Sequence, residues 1–147
     1  MVRSQSAKKV AADAVSFLEV LDTAGVILDA ANQVVNNLIG DISATALTGT
    51  FTVTSGDASD DGIKITTGSA NTTITASGKG DTITVNADAM ADNTTLDING
   101  SATYTVSNLE ADTNAADTSA AVSLAYTDVT GNAATITTGT AATTVSG

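Results

Sequence analysis

The sequence predicts a mainly β fold, a parallel β-solenoid with an N-terminal α-helical cap, on three observations. From residue 41 onward, short runs of β-branched residues alternate with Gly, Asn and Asp. The centres of most of these runs fall about ten residues apart, a spacing that suits solenoid coils or a small sandwich. The apolar side chains are also small: 42% of residues are hydrophobic but only 3% are aromatic, and much of the apolar share is Ala. Large side chains bury the most area, so a chain of Ala, Thr, Val and Ile suits a core one side chain deep.

The strands are expected at Phe51-Thr52-Val53, Ile63-Lys64-Ile65, Thr73-Ile74-Thr75, Ile83-Thr84-Val85, Leu96-Asp97-Ile98, Tyr104-Thr105-Val106, Val122-Ser123-Leu124 and Thr135-Ile136-Thr137. Branched Cβ atoms fit a pleated surface. Successive strand residues face opposite ways. Inward Ile, Val, Leu and Ala would therefore stack between coils, with Thr and Asp outward. Thr-x-Thr recurs at Thr52/Thr54, Thr73/Thr75, Thr82/Thr84, Thr103/Thr105 and Thr135/Thr137. Stacked in register, these would form a flat hydroxyl-methyl array of the kind an ice-binding β-solenoid presents, although their uneven spacing along the chain argues against a regular lattice. Asn99-Gly100 is a type I′ hairpin signal. It supports the alternative architecture, an Ig-like antiparallel β-sandwich; in a solenoid the same dipeptide would be a corner.

Residues 1–40 differ from the rest and form the first of two predicted units. Val10, Ala14, Phe17, Leu21, Ala24, Leu28, Ala31, Val35 and Leu38 alternate spacings of four and three, the stripe of an amphipathic helix over about 6–39. Ser6 suits an N-cap and Gly40 a C-terminal stop, while Gly25 would divide the run into two helices. Such a segment would cap the open end of a solenoid or drive self-association.

The second unit, 41–147, contains a longer repeat. Sliding residues 41–76 by 71 positions onto 112–147 pairs Asp41 with Asp112, Ala44 with Ala115 and Asp57 with Asp128 without a gap. The same shift pairs Phe51 and Val53 with Val122 and Leu124, and Ile65-Thr66-Thr67-Gly68 with Ile136-Thr137-Thr138-Gly139. The chain thus holds about one and a half copies of a 71-residue unit, 41–111 and 112–147. Neighbouring repeats or further copies of the chain are its expected partners.

Charge excludes several functions. The net charge is −11, and of the five basic residues three (Arg3, Lys8, Lys9) lie near the start, leaving Lys64 and Lys79. Nucleic-acid binding needs a basic face to neutralise phosphates. No apolar run reaches the roughly 18 residues a membrane span requires, and the opening MVRSQSAKKV lacks the apolar stretch of a cleaved signal. Catalysis is not expected. His and Cys are absent, so no imidazole can activate the many hydroxyls, and only Phe17, Phe51, Tyr104 and Tyr126 could offer a sugar a platform.

Acidic residues instead suggest calcium or a solvated surface. Asp57-Ala58-Ser59-Asp60-Asp61-Gly62 reads D-x-S-x-D-G, in which alternate oxygen-bearing residues converge on one hard cation and Gly allows the sharp turn. The closing Glu of an EF-hand is missing, since Gly68 stands there. The alternative is an ordinary Asp/Gly turn. Asp88, Asp92 and Asn93 form a weaker cluster.

Gly68-Ser69-Ala70-Asn71-Thr72-Thr73-Ile74 resembles a degraded G-x-G-N-D-T-I unit of the RTX type, and Gly78-Lys79-Gly80-Asp81-Thr82-Ile83 resembles a second, one residue short. With its Thr/Ala/Gly texture, the region 41–147 is similar to repeat regions of large secreted bacterial calcium-binding, adhesin and S-layer-type surface proteins. The stretch 29–38 resembles their Ala/Asn-rich helical insertions. The resemblance implies an extracellular, cell-surface location and calcium held in turns between short parallel strands. Thr72 replaces the ligating Asp of the first unit, whereas Asp81 retains it. The expected ligands are Asp57, Ser59, Asp61 and Asp81, and the expected function is a structural or adhesive repeat module, with a surface glycan or protein as a further expected ligand.

Overall fold

The computed structural model describes residues 16–19, 25–26, 32–56, 62–76, 78, 81–127 and 133–147. The described residues form fourteen strands and no helix. The first four are β1 (Ser16–Glu19), β2 (Gly25–Val26), β3 (Gln33–Leu38) and β4 (Ile42–Ser43). They continue through β5 (Phe51–Ser55), β6 (Ile63–Thr66), β7 (Thr72–Ala76), β8 (Thr82–Asn86) and β9 (Thr95–Gly100). The last five are β10 (Thr103–Leu109), β11 (Asp112–Ala115), β12 (Val122–Tyr126), β13 (Ile136–Thr138) and β14 (Thr143–Ser146). Odd-numbered strands build one seven-stranded sheet and even-numbered strands build the other, each in chain order. Every described strand pair is parallel. The chain therefore winds from one sheet to the other and back, and each coil lies on the last: a parallel β-solenoid.

Period-two alternation sets the core. In β5 and β7 the burial alternates so that Phe51, Val53, Ile74 and Ala76 are buried while Thr52, Thr54, Thr73 and Thr75 are half-buried on the outside. Register then stacks like on like. Ile42, Ile65, Val85, Val106, Leu124 and Val145 form one column in the even sheet. Val35, Val53, Ile74 and Ile98 form one in the odd sheet. Each buried aliphatic side chain contributes roughly 1.5–3 kcal/mol, and the columns meet across a core one layer deep. Leu47, Met90, Leu109 and several Ala fill the corners.

The antiparallel sandwich is excluded by the pairing. Asn99-Gly100 ends β9 in the odd sheet, and the chain crosses to β10 in the even one. Gly100 has φ 102°, but it serves a corner in place of a hairpin. Its amide bonds Asp117 O and its carbonyl accepts from Ser119 N in the next coil.

The helix predicted over 6–39 is also corrected wherever that segment is described, because β1, β2 and β3 are strands. The apparent helical spacing of Val35 and Leu38 has a strand origin. Asn37 takes a left-handed conformation (φ 57°) and the β3–β5 register shifts between Val35 and Leu38. A bulge inserts one residue, so two residues three apart both point inward. The rest of that segment, and with it the cap, lies outside the described residues.

The 71-residue offset recurs in contacts. Asn37 and Asn108 are the two non-glycine residues with positive φ among the described residues, each within a register shift (Val35/Leu38 and Val106/Leu109). Gly56 N donates to Leu38 O at 2.8 Å, and Thr127 N to Leu109 O at 3.1 Å. A Cβ at Gly68 would strike the carbonyls of Leu47 and Ala44, and one at Gly139 those of Ala115, Ala116 and Thr118. Between β5 and β12 the chain makes seven crossings, three and a half coils, so the offset carries each segment into the opposite sheet.

Candidate functional site

The solenoid offers two outer sheet faces and, between them, the corners where the chain crosses from one sheet to the other. Outward positions of the even sheet fall in columns across coils. Lys64, Thr84, Thr105, Ser123 and Thr144 are register partners in succession. Thr82 lies beside Thr103, and Thr66, Asn86 and Ser107 follow one another two residues further along the strands. The hydroxyls of Thr82, Thr84, Thr103, Thr105, Ser123 and Thr144 have no hydrogen-bond partner among the described residues. In the second column, Ser107 Oγ donates to Val85 O at 3.3 Å and Asn108 Nδ2 to Asn86 Oδ1 at 3.0 Å.

The Thr-x-Thr triplets do not stack as one array: Thr82/Thr84 and Thr103/Thr105 lie in the even sheet, whereas Thr52/Thr54, Thr73/Thr75 and Thr135/Thr137 fall in or beside strands of the odd one. Parallel register fixes the strands, and the variation in chain spacing is absorbed in the corners: Val53 to Ile74 spans 21 residues and Thr72 to Leu96 spans 24.

The outer face of the odd sheet is mixed. Thr52, Thr54, Thr73 and Thr75 form a patch, but Asp97 and Asn99 follow in the next coil. Asn114 Nδ2 then donates to Asp97 Oδ1 at 2.9 Å. No strand of the even sheet carries a carboxylate.

Acidic and amide side chains collect at the strand entrances and join coil to coil. Asn32 Oδ1 accepts from Thr50 N at 2.9 Å and Asn71 Oδ1 from Thr95 N at 3.0 Å. Asp41 Oδ1 accepts from Lys64 N at 2.8 Å and Asp112 Oδ1 from Thr135 N at 2.7 Å. Each acceptor precedes an inward residue, and each donor is its register neighbour in the next coil. This ladder was not foreseen. Its one trace in the sequence is the alignment of Asp41 with Asp112.

Of the expected calcium ligands, Asp57, Ser59 and Asp61 lie outside the described residues. Asp81 is buried at 6% exposure at the entrance to β8, with its carboxylate packed against Gly78. Asp88 is exposed, and its amide donates to Asn86 Oδ1 at 3.3 Å. Among the described residues no three acidic side chains converge on a point that could hold a metal.

Tyr104 is fully buried within the even sheet, and its hydroxyl donates to Asn99 O at 2.7 Å. Burial pushes its phenol well above the ordinary value, outweighing the backbone hydrogen bonds that pull it down. Tyr126 is raised by burial and by the nearby Asp112, against a lowering hydrogen bond with Thr113. The buried Tyr104 ring is closed to a sugar, and Tyr126 is half-buried.

At the last coil, Val145 is 48% exposed although its column-mates are buried. It borders a shallow depression of about 280 Å³ with Tyr126, Ala134 and Ile136. No described helix is long and apolar enough to cross a membrane. The sequence matches no protein-family model, and no curated protein or solved structure matches it significantly.

Proposed function

We propose that this chain is a structural and adhesive repeat module of an extracellular bacterial surface protein, acting without catalysis. The observation that carries the reading is the in-register stacking of parallel coils, which joins the described residues into a continuous rod with broad polar faces and a thin core. Such a rod is stabilised by nearest-neighbour coil contacts and extends by adding coils. The RTX, adhesin and S-layer resemblance of residues 41–147 supports the bacterial surface location.

The test is surface labelling. Antibodies raised against the purified chain are applied to intact cells that express it. Labelling without permeabilisation is the expected result, and labelling only after permeabilisation overturns the reading.

A second reading, a calcium-binding RTX-like module, rests on the resemblance of residues 68–74 and 78–83 to RTX units, the second of which keeps Asp81. Asp57, Ser59, Asp61 and Asp81 would then supply hard oxygen ligands. A melt in calcium and in EDTA separates the two readings.

A further inference from the structure

We propose that the outer face of the even sheet binds ice through its column of free hydroxyls, a function beyond the structural role.

Four observations carry this. The first is geometry. From β8 to β14 the hydroxyls span three strand spacings, about 14 Å, and one alternate-residue step, roughly 7 Å, given strand spacings near 4.8 Å and rises near 3.3 Å. Over that area Thr84, Thr105, Ser123 and Thr144 repeat once per coil, with Thr82 and Thr103 two residues to one side. These hydroxyls therefore repeat at fixed intervals along and across the strands, the kind of periodicity that a crystalline water surface also has.

The second is preorganisation. Branching at Cβ restricts Thr to few rotamers, and the parallel strand pairing holds each Cα in place. Little side-chain entropy is lost when water orders against such a surface, and lost entropy is the main cost of a weak, extended contact.

The third is availability. These six hydroxyls bond nothing within the described protein. Each can donate to and accept from the first ice layer, while the Thr methyls present an apolar complement beside it.

The fourth is charge. The chain carries 16 acidic residues, yet the even strands hold none. Carboxylates hold water in their own hydration geometry and would disrupt a lattice. Lys64, toward one side of the array, is the one charge in these strands. The odd face lacks this property because Asp97 interrupts its Thr patch. A glycan partner is disfavoured, because no aromatic ring lies on the even face.

The two faces provide their own control. Thr105→Lys places a charge in the centre of the proposed face. Thr54→Lys places the same charge on the outer surface of the other sheet. Both positions point outward, and circular dichroism checks that each variant is folded. Thermal hysteresis and ice-crystal shaping are measured on the whole chain and on both variants. The expected result is activity in the parent chain, its loss in T105K and its retention in T54K. No hysteresis in the parent chain overturns the proposal, as does equal loss or equal retention in the two variants. That failure would leave the surface-labelling result of the structural reading untouched.

Discussion

Tyr104 shows how a single residue is held by this thin core. Its ring replaces the aliphatic side chain that its column-mates Ile63, Ile83 and Val122 supply, and its hydroxyl finds Asn99 O at the corner. The sequence marks Tyr104 as part of a strand triplet but gives no sign that a polar ring will be fully buried. The partner that permits this, a backbone carbonyl at the end of the preceding odd strand, becomes visible only once the coil is closed. Because burial raises the phenol above its ordinary value of 10.0, the neutral form is the one the fold stabilises. That contribution is fully present below about pH 10 and is lost as pH rises further, toward the folded-state value. Tyr126 acts in the same direction. Tyr104→Phe is expected to cost about 1 kcal/mol at neutral pH through the lost hydrogen bond. It should also reduce the fall in stability above pH 10, as read by urea unfolding at pH 7 and in alkaline buffer. An unchanged alkaline slope would contradict this.

At the scale of elements, alternation was legible and closure was not. Each predicted triplet lies on or at the entrance to a strand because Thr, Val and Ile both favour the pleat and mark its two faces. Two signals misled. The i, i+3 placement of Val35 and Leu38 imitates a helix because the Asn37 bulge shifts the strand by one residue. Asn99-Gly100 has hairpin chemistry, but parallel pairing of β9 with β7 and β11 claims both strand edges. The Asx ladder had no local signature, since Asp41 and Lys64 meet only through register. Its role can be measured. Asp41→Ala removes the acceptor of the Lys64 amide and is expected to lower stability by about 1 kcal/mol, whereas Asp41→Asn keeps an acceptor oxygen and should retain most of it. Equal loss in the two variants in urea titrations would show that the carboxylate acts through its charge.

The whole molecule is a stack, and its properties follow from neighbours. Contacts recur 71 residues apart, yet that offset corresponds to three and a half coils, so equivalent segments look out from opposite sides. One-dimensional alignment reveals the offset and not the half-turn, because both sheets use the same Thr-outside, aliphatic-inside code. The calcium expectation falls mainly on residues 57–61, outside the described part, with Asp81 alone among the four ligands inside it. Under the proposed structural role, coil stacking alone holds the solenoid together. That proposal is tested most directly by far-UV circular dichroism with a thermal melt, run in calcium and then in EDTA. A β-sheet spectrum and the same melting temperature are expected in both. Loss of the β signal in EDTA, or a drop of several degrees, would contradict it and assign calcium to Asp57, Ser59, Asp61 and Asp81.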